Sequence, residues 1–213
     1  MERYTTIPQS PAATAPFAQG GLVLGITGGT GSGKTTLLNR IAQCGGMVLD
    51  CDAIYHELLR TDKALLSAIE ARFPGTVEDG VLQRKKLGNI VFSDESALHD
   101  LKKITHTAIR EEVRRHLEAK PALAAIDASA LFESGLGDLC DVTVAITAPE
   151  AVRIQRLMSR EGITAEYAKM RIAAQPSDDY FREKADHILV NDGDLPAFEA
   201  NCLAFFNELG IIE

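Results

Sequence analysis

Five short apolar runs punctuate the chain: Leu22-Val23-Leu24-Gly25-Ile26, Met47-Val48-Leu49-Asp50, Leu123-Ala124-Ala125-Ile126-Asp127, Val142-Thr143-Val144-Ala145-Ile146 and His187-Ile188-Leu189-Val190-Asn191. Each ends at polar or turn residues. Runs this short, apolar at successive rather than alternate positions, predict strands buried on both faces of a parallel sheet. Between them the period changes to that of helices. Leu98, Leu101, Ile104, Ala108, Ile109, Val113 and Leu117 fall on one face of a long amphipathic helix, with Ser93-Asp94-Glu95 as its N-terminal cap. Leu37, Leu38 and Ile41, stopped by Gly45-Gly46, predict a helix after the first strand. Ile163-Thr164-Ala165-Glu166, following Gly162, predicts another helix start in the charged stretch 150–184.

Strand spacing sets the organisation. Residues 51–122 separate the second and third strands, far more than the dozen or so a parallel crossover needs, so a helical lobe must be inserted there. The predicted fold class is α/β, three layers (α/β/α) around a five-stranded parallel sheet, with a helical insertion lobe and a helical lid. Its core is expected at 21–52, 120–149 and 185–213, its insertion at 53–119 and its lid at 150–184, all within one domain spanning 21–213. The full length of 213 residues suits one such domain. Residues 1–20, rich in Pro, Ala, Thr and Gln, are read as a flexible arm; they lack the basic start and apolar stretch of a signal peptide. No apolar run approaches the ~20 residues of a transmembrane helix.

Charge and cysteines narrow the partners. With 22 Lys+Arg against 30 Asp+Glu, the net charge of -8 argues against nucleic acid and against a membrane surface. Cys44, Cys51, Cys140 and Cys202 form no C-x-x-C pair and no metal-ligand spacing, and are read as reduced thiols of a cytoplasmic protein. A monomer or weak homo-oligomer is expected.

The chemistry begins where the first strand ends. Gly28-Gly29-Thr30-Gly31-Ser32-Gly33-Lys34-Thr35 reads G-x-x-x-x-G-K-T between a strand and a helix, the context this phosphate-binding motif demands. Residues 29–36 (Gly29, Thr30, Gly31, Ser32, Gly33, Lys34, Thr35 and Thr36) are therefore expected to hold the phosphates of a nucleoside triphosphate. Backbone N–H groups and the helix N-terminus face the anion, Lys34 adds a point charge and the Thr35 hydroxyl serves Mg²⁺.

Ligands of open α/β sheets sit beyond the carboxyl ends of the strands, and these ends are acidic here: Asp50-Cys51-Asp52, then Asp127 followed by Glu133. Continued extended chain would turn Asp50 and Asp52 the same way, one carboxylate accepting a hydroxyl proton while another supports Mg²⁺ through water. For Asp50 an N-cap role competes equally. Asp127 closes its strand as a water-mediated metal ligand would. Arg153, Arg156 and Arg160, three and four apart, share a helix face and suit a lid that brings cations to a moving phosphate. Arg84 is a candidate for an acceptor phosphate at the start of a helix, whereas His106, alone in mid-helix, reads as structural.

These residues resemble the dephospho-CoA kinase family over nearly the whole length after the arm. The phosphate loop is similar to the family's T-G-G-I-G-S-G-K-S, and Val48-Leu49-Asp50-Cys51-Asp52 to its V-I-D-A-D. Gly80-Val81-Leu82-Gln83-Arg84 with Leu87 and Val91-Phe92 is similar to its G-x-L-x-R-x-x-L-x-x-x-V-F. Leu131-Phe132-Glu133-Ser134-Gly135-Leu136, Arg156-Leu157-Met158-Ser159-Arg160, Arg171-Ile172-Ala173-Ala174-Gln175 and Ala185-Asp186-His187-Ile188-Leu189-Val190-Asn191 follow in order.

The resemblance implies a P-loop kinase that transfers the γ-phosphate of ATP to the ribose 3′-hydroxyl of dephospho-CoA, the last step of coenzyme A synthesis. It implies that Asp52 orients or deprotonates the hydroxyl, that Arg84, His106 and Glu133 line the acceptor site, and that Arg156 acts from the lid alongside Lys34. Two departures lie beside that site: Thr107 follows His106 where the family has Pro, and Ser129-Ala130 precede Leu131 where it has Pro-Leu. Another small-molecule kinase acting on nucleosides or nucleotides is the alternative reading. An ATP-binding sensor has no use for the acceptor residues, and a GTPase would carry an N-K-x-D segment.

Overall fold

The computed structural model describes residues 4–6 and 21–212. Its central sheet holds the five expected parallel strands, β2 (Leu22–Gly28), β3 (Met47–Asp50), β6 (Leu123–Asp127), β7 (Val142–Thr147) and β8 (His187–Val190). An antiparallel edge strand joins these five: β1 (Tyr4–Thr6), within the stretch read as an arm, pairs with β8, Thr5 opposite Ile188, giving the order β1-β8-β7-β2-β6-β3. Three residues without alternation leave no periodic signal. The rest of the arm expected at 1–20 lies outside the described residues.

Helices cover both faces. On one, α1 (Lys34–Gln43) and α9 (Leu195–Glu208) bury Leu37, Ile41, Phe198, Phe205 and Phe206 against Leu24, Ile26, Val144 and Leu189. Fully burying a side chain of this size contributes about 1.5–3 kcal/mol, so this layer is a large part of the core. On the other face Leu131 and Leu136 pack near β6, and α8 (Asp178–Lys184) presses Phe181 onto Ala145 and Ile188.

The insertion comprises α2 (Cys51–Thr61), α3 (Lys63–Arg72), a hairpin of β4 (Val77–Glu78) and β5 (Val81–Leu82), α4 (Arg84–Val91) and α5 (Glu95–Leu117). Asp94 caps α5 as expected, its carboxylate accepting from Ser96 N at 2.8 Å. The helix runs unbroken through Thr107, whose hydroxyl donates back to Lys103 O at 2.9 Å. Leu58, Leu65, Ile69, Leu87, Ile109 and Val113 give this lobe a core continuous with Leu49 and Ile126 of the sheet. The lid segment starts with α6 (Glu150–Glu161) and α7 (Ala165–Ala173), packed together through Ile154, Leu157 and Ala168. Parallel register brings the working ends level: Asp50 and Ile26 both lie opposite Asp127.

Candidate active site

The phosphate loop lies between β2 and α1. Gly28, Gly31 and Gly33 take φ of 134°, 75° and 105°, which residues with a Cβ rarely adopt, so the glycines permit the turn. Gly33 is the N-cap of α1 and offers no side chain to its first turn, which holds no acidic residue. Six other helices are capped by side-chain acceptors, Asp50, Asp62, Asp94, Thr164, Ser177 and Asp194, whereas α4 and α6, behind Gln83 and Pro149, are not. Leaving α1 bare keeps its N–H groups and the positive end of its dipole for an anionic ligand. Lys34 Nζ donates to Gly28 O at 2.8 Å, and burial pulls its pKa down against the opposing charges of Asp127 and Asp52. Ser32 Oγ is buried without a hydrogen-bond partner among the described residues, a spare polar atom inside the cradle.

The loop is braced from behind by the lid helix. Arg153, buried with 5% of its surface exposed, donates from Nε to Thr30 O at 2.9 Å. Gln175 Oε1 accepts from Thr30 N at 2.7 Å and from Arg153 at 3.3 Å. Arg156 donates to Gly31 O at 3.3 Å, to Ser32 O at 3.2 Å and to Asn191 Oδ1 at 2.9 Å. Of the three lid arginines, Arg160 lines the phosphate cleft. Arg156 holds loop carbonyls and, with Gly31, Gly33, Thr35 and Arg160, also borders an open groove beside the loop.

That cleft, about 200 Å³, is bounded by Gly29–Gly31, Gly33, Lys34 and Thr35 on the donor side and by Asp52, Asp127 and Ser129 opposite. The carboxyl ends of the strands explain the acids, with one correction. The chain does not stay extended after Asp50, which caps α2 by accepting from Asp52 N at 2.9 Å and Ala53 N at 3.0 Å. Asp52 therefore projects from the first helical turn, leaving Asp50 a capping task. Burial first, then the charges of Asp50 and Asp52, push the Asp127 carboxyl up to about 6, while Lys34 opposes the shift. The Thr35 hydroxyl and the Asp127 carboxylate are hard oxygen donors, which fit a hard divalent cation. The described residues hold no group of three or more His, Cys, Asp or Glu placed to bind a metal. Mg²⁺ that keeps most of its water and takes phosphate oxygens needs no such group.

A second cavity, about 260 Å³, opens on the insertion side, with Tyr55, Leu101, Ile109 and Leu136 as apolar walls. Asp52 and Ser129 line both this cavity and the phosphate cleft, so the two spaces meet there. His106 lines the far side, its pKa lowered by burial and by Lys102 while Glu133 opposes. Glu133 stands just outside, facing His106 from the neighbouring groove. Arg84 lines neither cavity; its guanidinium lies 3.5 Å from His56 Nδ1, and its charge acts on the Tyr55 phenol. The structure therefore joins Lys34, Thr35, Asp52 and Asp127 with Arg160 of the lid and with Ser129, and sets Arg84 beside His56 of α2.

Gln175 and Asn191 had no assigned role in the sequence. Asn191 had a legible signal, a polar residue closing a buried apolar strand as Asp127 does. Gln175 had none, because its contact with Thr30 spans 145 positions.

A bare, glycine-capped helix N-terminus with its lysine, acids at the facing strand ends, a helical lobe and an arginine-bearing lid define a P-loop kinase with its acceptor cavity in the insertion. A sequence profile described as dephospho-CoA kinase matches residues 22–197. The chain belongs to the dephospho-CoA kinase family. It is 38% identical over 192 residues to the dephospho-CoA kinase of Mesorhizobium japonicum, covering 88% of this chain and 96% of that protein. Among solved structures, TT1252 from Thermus thermophilus matches with a TM-score of 0.74 and 31% identity, over 90% of this chain and 99% of that one. A dephospho-CoA kinase from Campylobacter jejuni matches with a TM-score of 0.63 and 25% identity, over 88% and 96%. No helix among the described residues is long and apolar enough to cross a membrane.

Proposed function

We propose that this chain transfers the γ-phosphoryl group of ATP to the ribose 3′-hydroxyl of dephospho-CoA, giving coenzyme A and ADP. The observation that carries the reading is the shared wall: Asp52 belongs both to the phosphate cleft and to the apolar cavity of the insertion. A hydroxyl placed at Asp52 from the cavity side faces the cleft in which Lys34 and Arg160 stand. Phosphoryl transfer passes through a loose transition state, so positioning and charge neutralisation dominate. Lys34 and Arg160 neutralise the moving group, loop N–H groups and the α1 N-terminus hold its oxygens, and Asp52 orients the hydroxyl and accepts its proton. Arg156 acts as a positioning residue, by fixing loop carbonyls. Mg²⁺ would be held by Thr35 and, through water, by Asp127, and when bound it neutralises charge on the β- and γ-phosphates.

Glu133 flanks the approach to the acceptor cavity and His106 closes it, while Arg84 stands outside, its charge reaching the cavity only through Tyr55. A monomer or weak homo-oligomer is the working unit of this reading. Four free cysteines agree with a cytoplasmic setting. The test is ADP release by the purified protein with dephospho-CoA and, separately, a nucleoside panel, with the product identified by mass. Saturable formation of coenzyme A is expected. Turnover of nucleosides with none on dephospho-CoA overturns the reading.

A further inference from the structure

Lys102, His106 and Arg110 recur every four residues along α5, so they follow one another down one side of the helix, about 12 Å from first to last at 1.5 Å per residue. With Lys103 and Arg114 they border a groove of about 750 Å³, faced by Glu133 and Ser134. Lys102, His106 and Ser134 also line the acceptor cavity, so groove and cavity are continuous. The four cations outnumber the two carboxylates of the groove, Glu111 and Glu133, in a chain whose net charge is -8. Some surface cations are paired, as with Arg72 on Asp100, Lys86 on Glu78 and Arg171 on Glu161. Lys102, Lys103 and Arg114 have no ion-pair partner among the described residues, and Arg110 reaches Asp138 at a long 3.3 Å.

The cavity thus has two ends. Asp52 and Ser129 mark the one where the hydroxyl reacts; Lys102 and His106 mark the other. An acceptor nucleoside seated with its hydroxyl at Asp52 sends its 5′ substituent toward the basic end. We infer that Lys102 and Arg110 bracket the diphosphate bridge of the acceptor, and that the groove beyond, toward Arg114, takes the arm attached to it. This rests on dephospho-CoA being the acceptor. Two long cationic side chains two turns apart converge on one diphosphate, and each charge-assisted hydrogen bond adds about tenfold in affinity. The subsite selects a nucleoside that carries a diphosphate over one that does not.

The test compares KM for dephospho-CoA and for ATP in Lys102→Gln, Arg110→Gln and Asp138→Asn. Lys102→Gln and Arg110→Gln should each raise the KM for dephospho-CoA about tenfold while the KM for ATP moves less than about twofold. Asp138→Asn removes the ion pair of Arg110 but keeps its cation, so it should leave the KM for dephospho-CoA in place or lower it. Added KCl should raise the wild-type KM more steeply than that of the Lys102→Gln/Arg110→Gln double variant. Equal losses in Arg110→Gln and Asp138→Asn would make the pair merely structural and overturn the subsite. Wild-type turnover of dephospho-CoA with unmoved variants overturns the subsite alone. A wild-type chain that does not phosphorylate dephospho-CoA overturns the subsite and the assigned activity together.

Discussion

Arg156 and Asn191 clasp each other across the back of the phosphate loop: Arg156 Nη2 donates to Asn191 Oδ1 at 2.9 Å, and Asn191 Nδ2 donates to Ser32 O at 2.8 Å. Asn191 is also tied to the sheet, its N–H donating to Thr147 O at 2.8 Å. The loop that receives the nucleotide is thus shaped by the lid helix and the end of β8 as well as by its own glycines. Asn191→Ala removes one of the two donors to Ser32 O and the side-chain acceptor of the Arg156 guanidinium, which keeps its bonds to Gly31 O and Ser32 O, so it should destabilise the fold by about 1 kcal/mol and raise the KM for ATP several-fold. Thermal melting and an ATP titration read the two effects. An unmoved KM would mean that the loop keeps its shape unaided.

Two glycines separate backbone strain from loss of that clasp. Gly45 has φ of +79° in open space, whereas at Gly33, with φ of +105°, a Cβ would come 2.2 Å from Asn191 Nδ2. Gly45→Ala should cost about 1–2 kcal/mol of stability and leave ATP kinetics alone. Gly33→Ala should lower kcat/KM for ATP about a hundredfold or more, since loop atoms are displaced where positioning matters most. Similar kinetics for the two variants would remove the role given to the clasp.

Chemistry and binding separate at Asp52 and Lys34. Asp52→Asn should lower kcat about a hundredfold with the KM for ATP unchanged, because the amide orients a hydroxyl without accepting its proton. Lys34→Ala should cripple turnover and weaken ATP binding together, since the lost charge acts on bound phosphate throughout. Steady-state kinetics with dephospho-CoA checks both. Wild-type kcat in Asp52→Asn would take that residue out of the chemistry.

The acid at the end of β6 makes the unloaded protein less stable than it would be with a neutral side chain there. Asp127 titrates at about 6 in the folded chain against an ordinary 3.8, chiefly through burial. The folded state therefore holds this proton more tightly than the unfolded one, and stability is lost as pH rises from the ordinary value through the folded one. Asp127→Asn, which keeps the shape of the protonated acid, should raise the stability of nucleotide- and metal-free protein at pH 7.5 by about 1–2 kcal/mol after solvent screening. The gain should fade as pH drops below 6 and vanish near 4, while activity is lost. A gain independent of pH would point to packing instead.

Much of the fold and the site is legible in the sequence. Continuous apolar runs gave all five parallel strands, because burial on both faces leaves no other pattern, and Asp94 announced α5 because a cap is a local device. What escaped were features set by distant partners. Asp50 and Asp52 differ because a helix starts between them, and the hold of Arg156 on the loop depends on Asn191, 35 positions away. The basic side of α5 carried a visible four-residue spacing at Lys102, His106 and Arg110. It stood out only once the cavity beside it was in place, since charged helix faces are usually just solvated.

The wall shared by the two cavities has a thermodynamic consequence. Asp52 and Ser129 touch donor space and acceptor space at once, so a substrate that repositions either residue changes the site of the other. Linkage then requires reciprocity: whatever factor ATP contributes to the affinity for acceptor, the acceptor returns to ATP. A substitution at position 129, where this chain carries serine, should therefore shift the coupling between the two substrates, read as the change in the KM for one with the concentration of the other.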